Sequence, residues 1–147
     1  NQISRHEANK LVHELRANNM AVMIGKNTAL ADNPMLTVRH TKGKNPIRIV
    51  IDKHLETPRN FHIYNQEAPT IILNALHTEV QSEWLQFVKL DFNESIFPQM
   101  NNALIELNVQ SVMVEGGNIL LQSLIKKNIW DEMHVIENPT LKFNNGN

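Results

Sequence analysis

The chain has 147 residues, with 14 lysines and arginines against 15 aspartates and glutamates and a formal net charge of −1. That length suits one domain burying roughly 70% of its unfolded surface, and the near-balanced charge gives no footprint for non-specific nucleic-acid or lipid-surface binding, so neither partner is expected. Cysteine is absent, which excludes disulfides and thiolate metal sites and fits a reducing cytoplasm, and no apolar run approaches membrane-spanning length.

Ser4-Arg5-His6-Glu7 reads as a capping box, with Ile3 placed to staple onto Ala8. Ala8, Leu11, Val12 and Leu15 then recur at helical spacing, predicting a helix to about Ala17 with one apolar stripe. Residues 20–25 read as a buried strand and residues 26–32 as a polar turn closed before Pro34. The basic stretch from Arg39 to Arg48, with Lys42 and Lys44, is short, polar and punctuated by Gly and Pro, and is expected as a solvated loop. Residues 47–51, 70–73 and 87–92 predict strands, with a helical stretch around residues 80–85 between the last two.

From Ser95 to Leu107, Met100, Ala103, Leu104 and Leu107 share one face of a further helix, which leads into a strand over residues 111–115. The helix after Gly117 is expected to bury Leu120, Leu121, Leu124 and Ile125, and residues 133–136 to supply a last strand. Strands alternating with helices, several of them continuous apolar runs, predict an α/β domain whose central, mainly parallel sheet is covered by helices on both faces. The chain opens almost on a helix cap and ends in Phe143-Asn144-Asn145-Gly146-Asn147 with no closing element, so residues 1–147 are expected to be one domain truncated at both ends.

His6-Glu7 and His13-Glu14 each open the helical zinc-protease pattern, but Lys10 and Ala17 stand where its second histidine would. No metal site is expected, and the seven histidines read as exposed or cap-region side chains. Ser95 and Ser123 lack the Gly-x-Ser-x-Gly elbow of a nucleophile.

Two segments carry more. In Ser111-Val112-Met113-Val114-Glu115-Gly116-Gly117 a β-branched run ends in a glycine pair and passes into a helix, leaving unpaired N–H groups and the positive end of the helix dipole above the strand. That is a seat for a phosphate with the Glu115 carboxylate at its rim, although such turns also occur as plain tight connections. Residues 25–39 run from a strand into a loop rich in Gly, Thr, Asp, Asn and Pro, where α/β folds place ligand contacts; Asp32-Asn33-Pro34 alone is a turn signature.

Five blocks occur together in a familiar order and spacing: Leu15-Arg16-Ala17; Thr28-Ala29-Leu30-Ala31-Asp32-Asn33-Pro34-Met35-Leu36-Thr37-Val38-Arg39; Pro46-Ile47-Arg48-Ile49-Val50-Ile51-Asp52; Val114-Glu115-Gly116-Gly117; and Trp130-Asp131-Glu132. Through them the chain resembles, over nearly all its length, the reductase domain of bacterial riboflavin biosynthesis. This is the C-terminal half of the bifunctional pyrimidine deaminase/reductase, a three-layer fold like that of dihydrofolate reductase. The resemblance implies an NADPH-dependent oxidoreductase that reduces the ribosyl group of 5-amino-6-(5-phosphoribosylamino)uracil to a ribityl chain, as a cytoplasmic homodimer. It puts Thr28, Asp32 and Lys53 at the cofactor, with Gly116, Gly117, Asn118, Ile119, Leu120, Leu121, Gln122 and Ser123 as the helix start that cradles its phosphates. It puts Arg16, Leu36, Arg39 and Glu115 at the substrate, and Asp32 and Glu115 as the carboxylates nearest the chemistry.

Departures accompany the likeness. The deaminase half needs a zinc site with cysteines, which this chain lacks. Gln2 stands where a tryptophan is usual, Lys53 where a small hydroxyl residue is, and Glu137-Asn138-Pro139 where an Ile-Ala-Pro turn is common; a first strand carrying Ser-Leu-Asp-Gly is expected before Asn1. At the end of the second strand, Asp52 favours a free ribose 2′-hydroxyl and Lys53 a 2′-phosphate, and strand alternation lets only one of them face the ligand. Two other readings stay open: a noncatalytic nucleotide-binding module of this fold, and a reductase of this fold for another pterin-like or pyrimidine substrate.

Overall fold

The computed structural model describes residues 6–77 and 80–136. In chain order these form α1 (His6–Asn18), β1 (Ala21–Gly25), α2 (Lys26–Asp32), β2 (Ile47–Ile51), a single 3₁₀ turn (His62–Tyr64), β3 (Thr70–Asn74), β4 (Val80–Ser82), β5 (Leu85–Lys89), α3 (Ile96–Glu106), β6 (Val112–Val114) and α4 (Asn118–Lys126). One sheet runs β4-β5-β3-β2-β1-β6, parallel throughout except for the antiparallel, irregular β4–β5 pair.

The central strands are continuous apolar runs because both of their faces are covered. Ala21 and Met23 of β1, Ile49 of β2 and Ile71 and Leu73 of β3 point to one face, against Phe97, Met100 and Leu104 of α3 and Leu120 and Leu124 of α4. Val22, Ile24, Val50, Ile72 and Phe87 point to the other, against Ala29 of α2 and Leu36 and Ile63 of the connecting loops. The parallel sheet with helices on both faces is therefore as expected. No helix among the described residues is long and apolar enough to cross a membrane.

Several local expectations are corrected. Residues 26–32 are a helix, not a turn: Ala29 is fully buried, and Asn33, in the left-handed region at φ 40°, closes the helix by donating its N–H to the Ala29 carbonyl at 3.0 Å before Pro34 stops it. Residues 80–85 hold β4, a turn and the start of β5 instead of a helix; the Ser82 hydroxyl accepts the Trp84 N–H, and the Trp84 carbonyl accepts that of Thr70, which ties the turn to β3. β5 accordingly begins before Phe87 and stops at Lys89. Residues 133–136 join no ladder among the described residues and are no strand, and Met133, Val135 and Ile136 are exposed; alternation alone makes no strand without a partner ladder. In α4 the buried row is narrower than expected, with Leu121 half-buried and Ile125 exposed.

Polar residues also depart from expectation. In α1 the buried side chains are His13 and Arg16, while Leu11 is exposed. Arg48 is no part of a solvated loop: it is wholly buried in β2, donating to the Thr70 hydroxyl, the His62 and Ala68 carbonyls and the Asn65 amide oxygen at 2.6–3.0 Å. The capping box and the 137–139 turn fall outside the described residues.

Candidate active site at the carboxyl edge of the sheet

β6 pairs with β1, and the Glu115 N–H extends that ladder to the Met23 carbonyl at 2.9 Å. The turn after β6 is thereby brought level with the start of α2. Gly116 and Gly117 both lie in the left-handed region, at φ 57° and 75°. A β-carbon on Gly117 would stand 2.9 Å from the Thr28 hydroxyl, so glycine is needed both for the conformation and for the approach of Thr28. Gly117 is the N-cap of α4 and offers no side-chain cap. The N–H groups of Asn118, Ile119 and Leu120 precede the first helical bond, from Leu121 to the Gly117 carbonyl at 3.1 Å.

Beside this turn Arg16 reaches from α1 to Glu115. Nε meets Oε1 at 2.5 Å and Nη2 meets Oε2 at 2.6 Å, while Nη1 donates to the Thr37 carbonyl at 3.0 Å. The two side chains are only 10% and 17% exposed, so this is a largely desolvated fork-to-carboxylate pair. Two residues along from Thr37, the Arg39 N–H donates to His13 Nδ1 at 3.0 Å. The Arg39 guanidinium itself is exposed, and among the described residues its Nη1 meets only the Met35 sulfur, at 3.4 Å. Burial, and then Arg16, His40 and Arg39, hold the His13 pKa below its usual value, with Glu115 opposing.

The remaining expected residues divide. Thr28, Gly116, Gly117, Arg16 and Glu115 come together. Asp32 ends α2 with an exposed carboxylate that bonds nothing among the described residues. Leu36, at φ 55°, sends its side chain into the core, leaving only its main chain for a ligand. Within the α4 start, Leu120 is core, the Ser123 hydroxyl bonds back to the Ile119 carbonyl at 2.7 Å, and Ile119 and Gln122 face outward. What this segment can offer a phosphate is its main-chain N–H groups.

Lys53 stands apart, since β2 lies two strands from β6, about 10 Å away. Asp52 is buried and accepts from the Glu56 N–H, the Thr57 N–H and the Thr57 hydroxyl, so it holds a loop and is closed to ligands. Lys53 points outward over the Phe92 ring, 5.7 Å from its centre, and with Lys89 and Asp91 lines a cleft of about 450 Å³. Among the described residues, no group of His, Cys, Asp and Glu side chains could hold a metal ion.

His13, Thr37 and Arg48 are missed by sequence reasoning. The signal for the first was the polar pair His13 and Arg16, three residues apart on one helix face; Arg48 sits in an otherwise apolar strand that gives no hint of the oxygens around its guanidinium.

The family model of the RibD C-terminal domain matches residues 1–141. The chain belongs to the RibD C-terminal domain family. Within it, this domain is 35% identical over 144 residues to the 2,5-diamino-6-ribosylamino-4(3H)-pyrimidinone 5′-phosphate reductase of Aquifex aeolicus, covering 92% of this chain and 63% of that protein. It is also 35% identical to the reductase of the same name from Archaeoglobus fulgidus, over 94% of this chain and 70% of that one. Among solved structures it resembles the diaminohydroxyphosphoribosylaminopyrimidine deaminase/5-amino-6-(5-phosphoribosylamino)uracil reductase of Thermotoga maritima, with a TM-score of 0.72, 26% identity, and coverage of 84% of this chain and 35% of that one. Acinetobacter baumannii RibD shares the fold at a TM-score of 0.75.

Proposed function

We propose that this domain catalyses the NADPH-dependent reduction of the ribosyl group of 5-amino-6-(5-phosphoribosylamino)uracil, or its close pyrimidinone relative, to the ribityl product in riboflavin biosynthesis. The observation that carries the reading is the Arg16–Glu115 fork beside the Gly116-Gly117 turn and the uncapped α4 start, in a chain of the RibD C-terminal domain family.

A nicotinamide dinucleotide fits the residues present. The paired glycines leave no β-carbon between Thr28 and the turn, and the first N–H groups of α4 have no side-chain cap, which suits a phosphate there. Farther along the edge Asp52 is closed off, while the exposed Lys53 ammonium, over the Phe92 ring, stays within reach of solvent, which supports the 2′-phosphorylated cofactor over its unphosphorylated form. When bound, the cofactor supplies the hydride.

The protein's part is positioning and electrostatics. Arg16 holds Glu115 through one lone pair on each oxygen, leaving the others to accept ribose hydroxyls. Asp32 offers a second carboxylate, and the two steady positive charge on the opening imine at C1′. Arg39, tied by its main chain while its guanidinium stays open, is suited to the substrate's 5′-phosphate. A cytoplasmic homodimer is the assembly expected of such an enzyme.

The test is the loss of the reduced-nicotinamide absorbance in the full-length protein. Consumption of NADPH that requires the phosphoribosylamino-pyrimidine supports the reading; a folded protein inert toward both contradicts it and favours the noncatalytic module.

A further inference from the structure

Helix α1 clamps the segment that carries Arg39 at two points. Arg16 donates to the Thr37 carbonyl at 3.0 Å, and one turn earlier His13 accepts the Arg39 N–H at 3.0 Å. The imidazole is 5% exposed and meets the His40 ring edge-on, with centres 4.5 Å apart and planes at 89°. Because Nδ1 is the acceptor, the proton of this ring sits on Nε2 and the ring is neutral; a protonated imidazole has two donors and nothing to offer the Arg39 N–H.

We infer that His13 is a positioning residue for substrate: through the Arg39 main chain, and only as the neutral Nε2–H tautomer, it sets the point from which the Arg39 guanidinium reaches the substrate's phosphate. The inference rests on reading Arg39 as the phosphate ligand. A long side chain whose base is displaced must trade rotamer freedom to regain a fork contact, so the effect falls on substrate affinity and leaves the hydride step alone. The groups facing the ring are Arg16 on its own helix, Arg39 and His40 on the clamped loop and Glu115 beyond β6. Burial favours the neutral ring, Arg16, His40 and Arg39 add to it, and Glu115 opposes them.

Two substitutions separate the hydrogen bond from packing. In His13→Asn the amide oxygen takes nearly the place of Nδ1; in His13→Gln it lies nearer that of Nε2, so the acceptor is lost while a polar side chain of similar size is kept. Steady-state kinetics of the full-length protein with NADPH and the phosphoribosylamino-pyrimidine are expected to show His13→Gln raising the substrate KM about tenfold, with kcat and the KM for NADPH within about twofold of wild type. His13→Asn is expected to keep the wild-type KM and to lack part of the acid limb in the pH profile of kcat/KM for substrate. Arg39→Ala is measured alongside. If it leaves the substrate KM unchanged, the phosphate assignment fails and the inference with it. If Arg39→Ala raises KM but His13→Gln does not, or if Gln and Asn lose substrate affinity, NADPH affinity and melting temperature alike, His13 only packs and the inference alone is overturned.

Discussion

Arg16 on α1 and Glu115 after β6, 99 residues apart in sequence, form a two-point ion pair at 2.5 and 2.6 Å that joins the first helix to the glycine turn. Removing one member leaves a desolvated charge without its partner. Glu115→Ala is expected to cost about 3 kcal/mol of stability by chemical denaturation and to abolish activity. Arg16→Lys keeps the charge but not the fork, and is expected to lose less stability while still losing most of kcat/KM. Wild-type-like unfolding of Glu115→Ala would show that the pair contributes nothing to the fold.

Asp32 presents the opposite balance. It stands at the end of α2, where the helix dipole disfavours a carboxylate, and bonds nothing among the described residues. Asp32→Asn should leave the melting temperature unchanged or slightly raised while lowering kcat at least tenfold, near 1.4 kcal/mol in the barrier. Parallel losses in both would mark it as a turn residue.

Lys53→Ala is expected to weaken NADPH about tenfold and leave NADH nearly unchanged, with the difference shrinking at high salt because the ammonium is exposed. Titration of both cofactors against wild type and variant measures this. An equal effect on the two would return Lys53 to the solvated surface.

The His13 imidazole makes stability depend on acidity. Its pKa is lowered in the folded state, so the unfolded chain takes up a proton first as pH falls below about 6.5. Stability should therefore be level in this contribution above pH 6.5 and decline as pH drops below it. His13→Asn, which cannot titrate, should flatten that decline in denaturation curves; an unchanged slope would place the titrating group elsewhere.

The sheet was legible because β1, β2, β3 and β6 are apolar runs bounded by Gly, Asp, Asn or charged residues, and the glycine pair before α4 announced both the turn and its open helix start. Helix α2 was hidden because its only buried residue is Ala29, which leaves no stripe to count. Trp84 and Leu85 read as helical around residues that in fact bend into β5, since short apolar stretches fit either period. Within the site, the residue types were recognisable, but the geometry was not. Nothing in the spacing says that Arg16 meets Glu115, that Asp52 is closed off by Thr57, or that His13 faces inward to hold Arg39. The first and last are tertiary contacts between segments far apart in the chain, and the Asp52–Thr57 bond depends on how the loop after β2 folds back.

Isotope transfer tests the central claim most directly. The full-length protein is given the phosphoribosylamino-pyrimidine and NADPH carrying deuterium at the transferable position of the nicotinamide C4, and the product is examined by mass spectrometry and NMR. A ribityl product with one deuterium at C1′ is the result expected of a hydride-transferring reductase. Cofactor bound but no label at C1′, with the substrate recovered intact, would contradict it.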